Sequence, residues 1–371
     1  MNELVFDQKE NIYYKNPEER TWILDQLLLH KNSKKTYEES FVSKWREYLN
    51  DYLFQPRTVP HEAIFDSSYC KSERRKFPLN LDTFIKSDWD KIEKWKKNIL
   101  FKMHGFLSAH PLIKSKRISV QFIGSIGSKD PIPYSDLDCL IILPSLDNWD
   151  LNNMVELKKL YRVVNYYAYM FDPLQHHDAF VLTETELING FSSFYPMSLM
   201  DKAWGYGRDH YYASSYNIQN KGCINFIYNN QFLRRMNYQQ ELPNSLYNLK
   251  YILSSIFLMP VYYYNAKNKF YCKKNSIEEI IKSDDTIGNN LNWISKFRRN
   301  WQSSSFPILK KMILKAGINI YPIEDLDLFN RRIEYHLRSA KNKPLLLKAT
   351  EIINRGNIIS DILLNKLVHN I

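Results

Sequence analysis

The stretch "GSIGSKDPIPYSDLDCLIIL", Gly124 to Leu143, constrains the chain more than any other. An apolar run with the length of a buried strand is led in by two aspartates one residue apart, shortly after a glycine-serine break. On a strand, residues i and i+2 face the same way. Asp136 and Asp138 therefore present their carboxylates together, while Leu137 and Cys139 face the opposite layer. Two like charges that close repel each other, and each loses hydration at the mouth of an apolar strand, so the arrangement calls for a compensating charge. A divalent cation is the natural compensator. Mg2+ prefers hard oxygen ligands and is usually shared between one or two carboxylates and substrate phosphates.

The glycine-serine turn supplies a second wall. Gly124 lets the backbone approach a phosphate closely, and the Ser125 hydroxyl and nearby amides can donate to its oxygens. Phosphate on one wall and metal-binding carboxylates on the other make a phosphoryl-transfer site, in which a second ion needs a third carboxylate. Asp178, at the head of the next short apolar run, is the best-placed candidate, with Glu184 and Glu186 as alternatives. The chain carries an internal control, Glu324-Asp325-Leu326-Asp327-Leu328, which has the same local pattern without a Gly-Ser turn and reads as a solvated loop or helix start. The phosphate-loop spacing G-x-x-x-x-G-K-[ST] is not met around Gly124, and a strand rather than a helix follows.

Around this stretch the periodicities predict helix, strand, loop, strand, helix, strand. Trp89, Ile92, Ile99, Met103 and Phe106 line one helical face behind a capping signature at Ser87 and Asp90. Residues 118 to 122 alternate as a strand, Asp136 to Leu143 form the next, 150 to 170 form a helix, and 177 to 183 form a third strand. Beyond 195 the chain reads as mainly helical, including Leu246 to Tyr263 and a basic, apolar-periodic tail from Leu309. The expected class is α+β: a small mixed β-sheet core backed by helices over 86–195, an N-terminal region of unassigned role over 1–85, and a mainly helical C-terminal domain over 196–371.

Composition narrows the surroundings. The net charge of +11 suits a polyanionic partner, although a lysine-rich composition alone would produce it too. No apolar stretch is long enough to span a membrane and no secretory leader is evident, so a cytoplasmic protein with no membrane partner is expected. The four cysteines are scattered, with no C-x-x-C pair, and Cys139 reads as a small core residue. Of the tyrosine clusters, Tyr206 and Tyr211-Tyr212 are those to suspect of stacking on bases. His176 and His177 are adjacent and would face opposite sides of a strand, which disfavours a shared metal ion.

Gly124-Ser125, the spacer that places Asp136 twelve residues after Gly124, Ser135-Asp136-Leu137-Asp138 opening an apolar strand and the later Asp178 together resemble the DNA polymerase β-like nucleotidyltransferase superfamily. The resemblance covers roughly 90–185. It implies that Gly124 and Ser125, with Ser135 nearby, hold the triphosphate of an NTP or dNTP, and that Asp136, Asp138 and Asp178 bind Mg2+, for which Mn2+ can substitute. It also implies that Lys250, on "YNLKYILSS", reaches the phosphates from a closing helix, the alternative being a solvated helix face. The implied activity is template-independent transfer of a nucleotide to a hydroxyl with release of pyrophosphate. A bacterial branch that makes oligonucleotide or cyclic nucleotide signals in anti-phage defence, with an effector or partner protein, is the specific form expected. A toxin- or antitoxin-type enzyme that modifies a protein tyrosine or a tRNA end, and a non-catalytic nucleic-acid-binding protein, are the alternatives.

Overall fold

The computed structural model describes residues 69–78, 92–143, 150–175, 179–184, 187, 200–201, 203–218, 226–227, 229–234, 245–267, 269, 271, 273–302, 306–316 and 342–368. The chain is α+β, with a small mixed four-stranded sheet and a larger helical part.

Helix α1 (Lys94–Ala109) buries Ile99 and Met103 of the expected stripe together with Leu100 and Leu107, leaves Phe106 half-buried, and ends where Pro111 opens the short α2 (Pro111–Lys114). Ser87, Trp89 and Asp90 lie outside the described residues. Strand β2 (Ser119–Phe122) is buried along its whole length, and after it Gly124–Gly127 makes a single helical turn, α3. Strand β3 (Cys139–Leu143) is also buried throughout, as expected for strands covered on both faces. Helix α4 (Leu151–Phe171) starts on Asp150, whose carboxylate accepts the Asn153 amide, and carries the chain over to β4 (Phe180–Thr183), parallel to β3. Strand β5 (Trp204–Tyr206) closes the other edge on β2, giving the order β4-β3-β2-β5. A separate antiparallel pair joins β1 (Tyr69–Pro78) to β6 (His210–Ile218).

One sheet face packs on α1 and α4 through Leu100, Met103, Val120, Ile141, Leu160 and Val164. The other face packs Ile123, Leu140, Ile142 and Leu182 with Met200 and Tyr211. The second large core is helical. Helix α5 (Leu246–Ala266), capped by Ser245, is its axis, with α6 (Lys273–Ser283) and α10 (Ala349–Val368) against it and α7 (Asp285–Arg299) packed on those two. Helices α8 (Phe306–Ala316) and α9 (Lys343–Leu346) complete the described elements. Among the described residues no helix is long and apolar enough to cross a membrane.

Three boundaries differ from the reading of the sequence. Strand β3 begins at Cys139 rather than Asp136, because the main chain of Leu137 pairs with the side chain of Gln175 instead of a neighbouring strand: its N–H donates to Gln175 Oε1 at 3.1 Å and its carbonyl accepts from Nε2 at 3.5 Å. The sheet reaches past 195 through β5, and β6 forms a second strand beyond it, in a region that read as mainly helical. The described pairing of β1 with β6 ties residues before 86 to this part of the fold. Cys139 is buried in the core, as its setting predicts.

Candidate functional site

Gly124 has φ +65°, a left-handed backbone that favours glycine, and a Cβ there would collide with Asp138 Oδ2. The Asp138 carboxylate thus rests on the bare Cα of Gly124, and the Asp138 carbonyl accepts the Ile123 amide at 3.1 Å. The loop beyond is closed by its own bonds: Ser128 N donates to Gly124 O at 3.0 Å, and Asp130 N to Ser125 O at 3.0 Å. Gly124 and Ser125 both keep partial solvent access. The glycine-serine break and the Asp-x-Asp pair, twelve residues apart in sequence, are in contact.

Burial alternates through the lead-in to β3. Leu137 and Cys139 are buried, whereas Asp136 and Asp138 keep access to solvent, so the two carboxylates share a side even before the ladder begins. Two clamps hold this segment. Gln175 pairs with Leu137 between the aspartates, as described above. Lys96, buried on α1, donates to the carbonyls of Pro133 at 2.9 Å and Ser135 at 3.3 Å, with its ammonium 4.6 Å from the centre of the Phe171 ring. Burial pushes the Lys96 pKa down to about 8, against the opposing pull of Asp172. The Ser135 hydroxyl is turned into its own loop, where it accepts the Ile132 amide at 2.9 Å.

Between those carbonyls the Tyr134 side chain points the other way, into the helical core. Its hydroxyl donates to the Lys250 carbonyl at 2.7 Å and lies 3.1 Å from Ser254 Oγ, and its ring meets Trp301 edge-on at 5.3 Å. The Arg298 guanidinium lies 4.3 Å from the Tyr134 ring and 4.2 Å from that of Phe257.

Lys250 is buried, not on a solvated face. Its ammonium is paired with Asp172 Oδ2 and lies 3.5 Å from Asp136 Oδ2. Burial alone would drive its pKa down, but Asp136 and Asp172 outweigh burial and hold it above the ordinary lysine value. Asp172 ends α4, and its other oxygen accepts the Leu174 amide at 3.1 Å. Lys273, the first residue of α6, is exposed, yet so much protein surrounds its ammonium that desolvation lowers its pKa; Arg298 adds to this, while Asp136 and Asp138 oppose it. The neighbouring Lys274 reaches Asp130 Oδ2 at 3.1 Å, which places the start of α6 over the Gly124–Asp130 loop. Desolvation also lowers the pKa of Arg298, opposed by Tyr134 and Asp136.

Comparison with protein-family models, curated proteins and solved structures finds no match to this chain. What the site can do therefore rests on its own geometry. It combines two solvent-accessible carboxylates on one side, a glycine turn beneath one of them, and the cationic groups of Lys250, Lys273 and Arg298 from three different helices.

Asp178 lies outside the described residues, as do His176, His177 and Glu186. The parallel register starts at Leu140↔Phe180, two residues after Asp138 on one strand and two after Asp178 on the other. Glu184 is engaged elsewhere, with Arg208 Nη1 at 2.6 Å and the Tyr212 amide at 3.1 Å. The second Asp-x-Asp, at 325–327, also falls outside the described residues. Tyr206 and Tyr211 are not base-stacking platforms. Both are core residues, Tyr206 with its hydroxyl 2.7 Å from His104 Nδ1 and Tyr211 bonded to Gln121.

Sequence reasoning missed Asp172, Gln175, Lys96, Tyr134, Lys273 and Arg298. Asp172 had a signal: a carboxylate ending a helix opposes the helix dipole and asks for a cation. Lys250 had one as well, since it sits among Leu246, Leu249 and Leu253 on the buried stripe of α5.

Proposed function

We propose that this site performs metal-dependent transfer of a nucleotide from an NTP or dNTP to a hydroxyl. The observation that carries the reading is the contact between Asp138 and Gly124, because it puts a metal-type carboxylate and a backbone turn open to phosphate side by side, with Asp136 on the same side.

The donor set suits Mg2+ or Mn2+. Asp136 and Asp138 offer hard oxygens, and Asp178, with substrate phosphates, would complete the shell; among the described residues no three His, Cys, Asp or Glu side chains gather. Bound by Asp136 and Asp138, the ion would offset polyphosphate charge and make an attacking hydroxyl more acidic. The chain's own groups do the rest. Gly124 and Ser125 would line the phosphates, and Lys273 and Arg298 would receive their negative charge from above. Lys250, committed to two carboxylates, would hold the site together rather than grip phosphate. In the reaction the acceptor oxygen bonds to the α-phosphorus, the bond to the bridging oxygen breaks, pyrophosphate leaves and the hydroxyl proton passes to water.

The test is incubation of the purified protein with each labelled NTP and dNTP in Mg2+ or Mn2+, beside Asp136→Ala/Asp138→Ala. Free oligomeric or cyclic product lost in the variant supports signal or oligonucleotide synthesis. Label retained on protein or tRNA points to a macromolecular acceptor. Absence of product with any donor or acceptor counts against transfer and favours a binding role.

A further inference from the structure

We propose that Lys250 competes with the divalent ion for Asp136, and that Asp172 is the positioning residue that draws Lys250 away so that the ion can bind. The inference rests on the reading of Asp136 and Asp138 as a metal site.

One ammonium is shared by two carboxylates, unequally. Lys250 makes a hydrogen bond to Asp172, whereas Asp136 Oδ2 lies 3.5 Å from it. The Lys250 and Asp172 side chains are 3% and 5% exposed, against 20% for Asp136, so the carboxylate an incoming ion can reach is also the one Lys250 holds less closely. Neither anchor is free to drift. The Lys250 main chain is bonded to Tyr134, two residues before Asp136, and Asp172 spends its second oxygen on the Leu174 amide. The ammonium is thereby fixed at the metal-facing carboxylate, with a buried partner that takes its hydrogen bond.

A buried lysine stripped of Asp172 has Asp136 as its remaining close carboxylate, and its whole field then falls on the residue the metal needs. Removing lysine and Asp172 together takes away the ammonium 3.5 Å from Asp136 without stranding either buried charge. The two changes therefore shift metal affinity in opposite directions, which a purely structural role for the pair would not do.

The experiment is Mn2+ titration of the full chain without nucleotide, read as free Mn2+ by electron paramagnetic resonance, with the fold of each variant checked by circular dichroism. Asp172→Asn, close to isosteric, is expected to weaken Mn2+ binding about tenfold. Asp172→Asn/Lys250→Met, which avoids stranding a buried charge, is expected to bind severalfold more tightly than the wild type. Loss in both folded variants, or no change in either, overturns the competition while leaving the metal site standing. A wild type that binds no Mn2+, or whose binding survives Asp138→Asn unchanged, overturns the metal site itself.

Discussion

The carboxylate of Asp138 occupies the space that a side chain at Gly124 would need, and Gly124 holds a left-handed φ of +65°. Gly124→Ala therefore carries two penalties: backbone strain of roughly 1–3 kcal/mol and displacement of Asp138. The variant should melt lower than the wild type and bind Mn2+ at least tenfold more weakly. A variant with wild-type Mn2+ affinity would show that Asp138 does not depend on this contact.

Lys273 is the cation of the site most accessible to solvent, and its ammonium lies within electrostatic reach of Asp136 and Asp138. If it meets the donor's phosphates equally in ground and transition states, Lys273→Met should raise the KM for nucleotide by about tenfold with kcat little changed. Steady-state kinetics on the preferred donor would check this. A fall confined to kcat would instead assign Lys273 to the transition state.

Tyr134→Phe keeps the ring against Arg298 and Trp301 and removes only the hydroxyl bonded to the Lys250 carbonyl. The loss of stability should be about 1 kcal/mol, the net worth of one hydrogen bond. Urea unfolding at neutral pH measures it, and a cost near zero would mean that the helical core holds the loop by packing alone.

Lys96 gives a pH signature. Its pKa is about 8 in the folded chain against 10.5 for an ordinary lysine, so the unfolded state holds the proton more tightly between those values. Stability from this residue accordingly rises as pH climbs from 8 to 10.5 and is smallest below 8. The unfolding free energy of the wild type minus that of Lys96→Met should grow over this window by at most about 3 kcal/mol. A flat difference would mean that the two carbonyls and the Phe171 ring keep Lys96 fully charged.

The parts of the site that were legible in sequence are those where local chemistry has one solution. A glycine before a spaced Asp-x-Asp that opens an apolar run pointed to Gly124, Asp136 and Asp138 before the contact of Gly124 with Asp138 was visible. Helix α4 and most of α5 were expected as helices at nearly their observed bounds. Lys273 and Arg298 were not legible, because they come from helices more than 130 residues beyond Asp138 and meet it only through tertiary packing. Tyr206 and Tyr211 could not be decided from sequence, because an aromatic residue looks alike on a binding face and in a core, and here β5 and β6 carry both inward.

Tyr134 belongs to the helical core by its side chain and to the carboxylate loop by its backbone, and Leu174, two residues past Asp172, is buried in the same helical core. The two halves thus share rivets at the site itself. Heat should not be able to melt the helical half and leave the carboxylate half intact, and a single cooperative transition, with metal binding disappearing along it rather than before it, is the thermal behaviour this joint imposes.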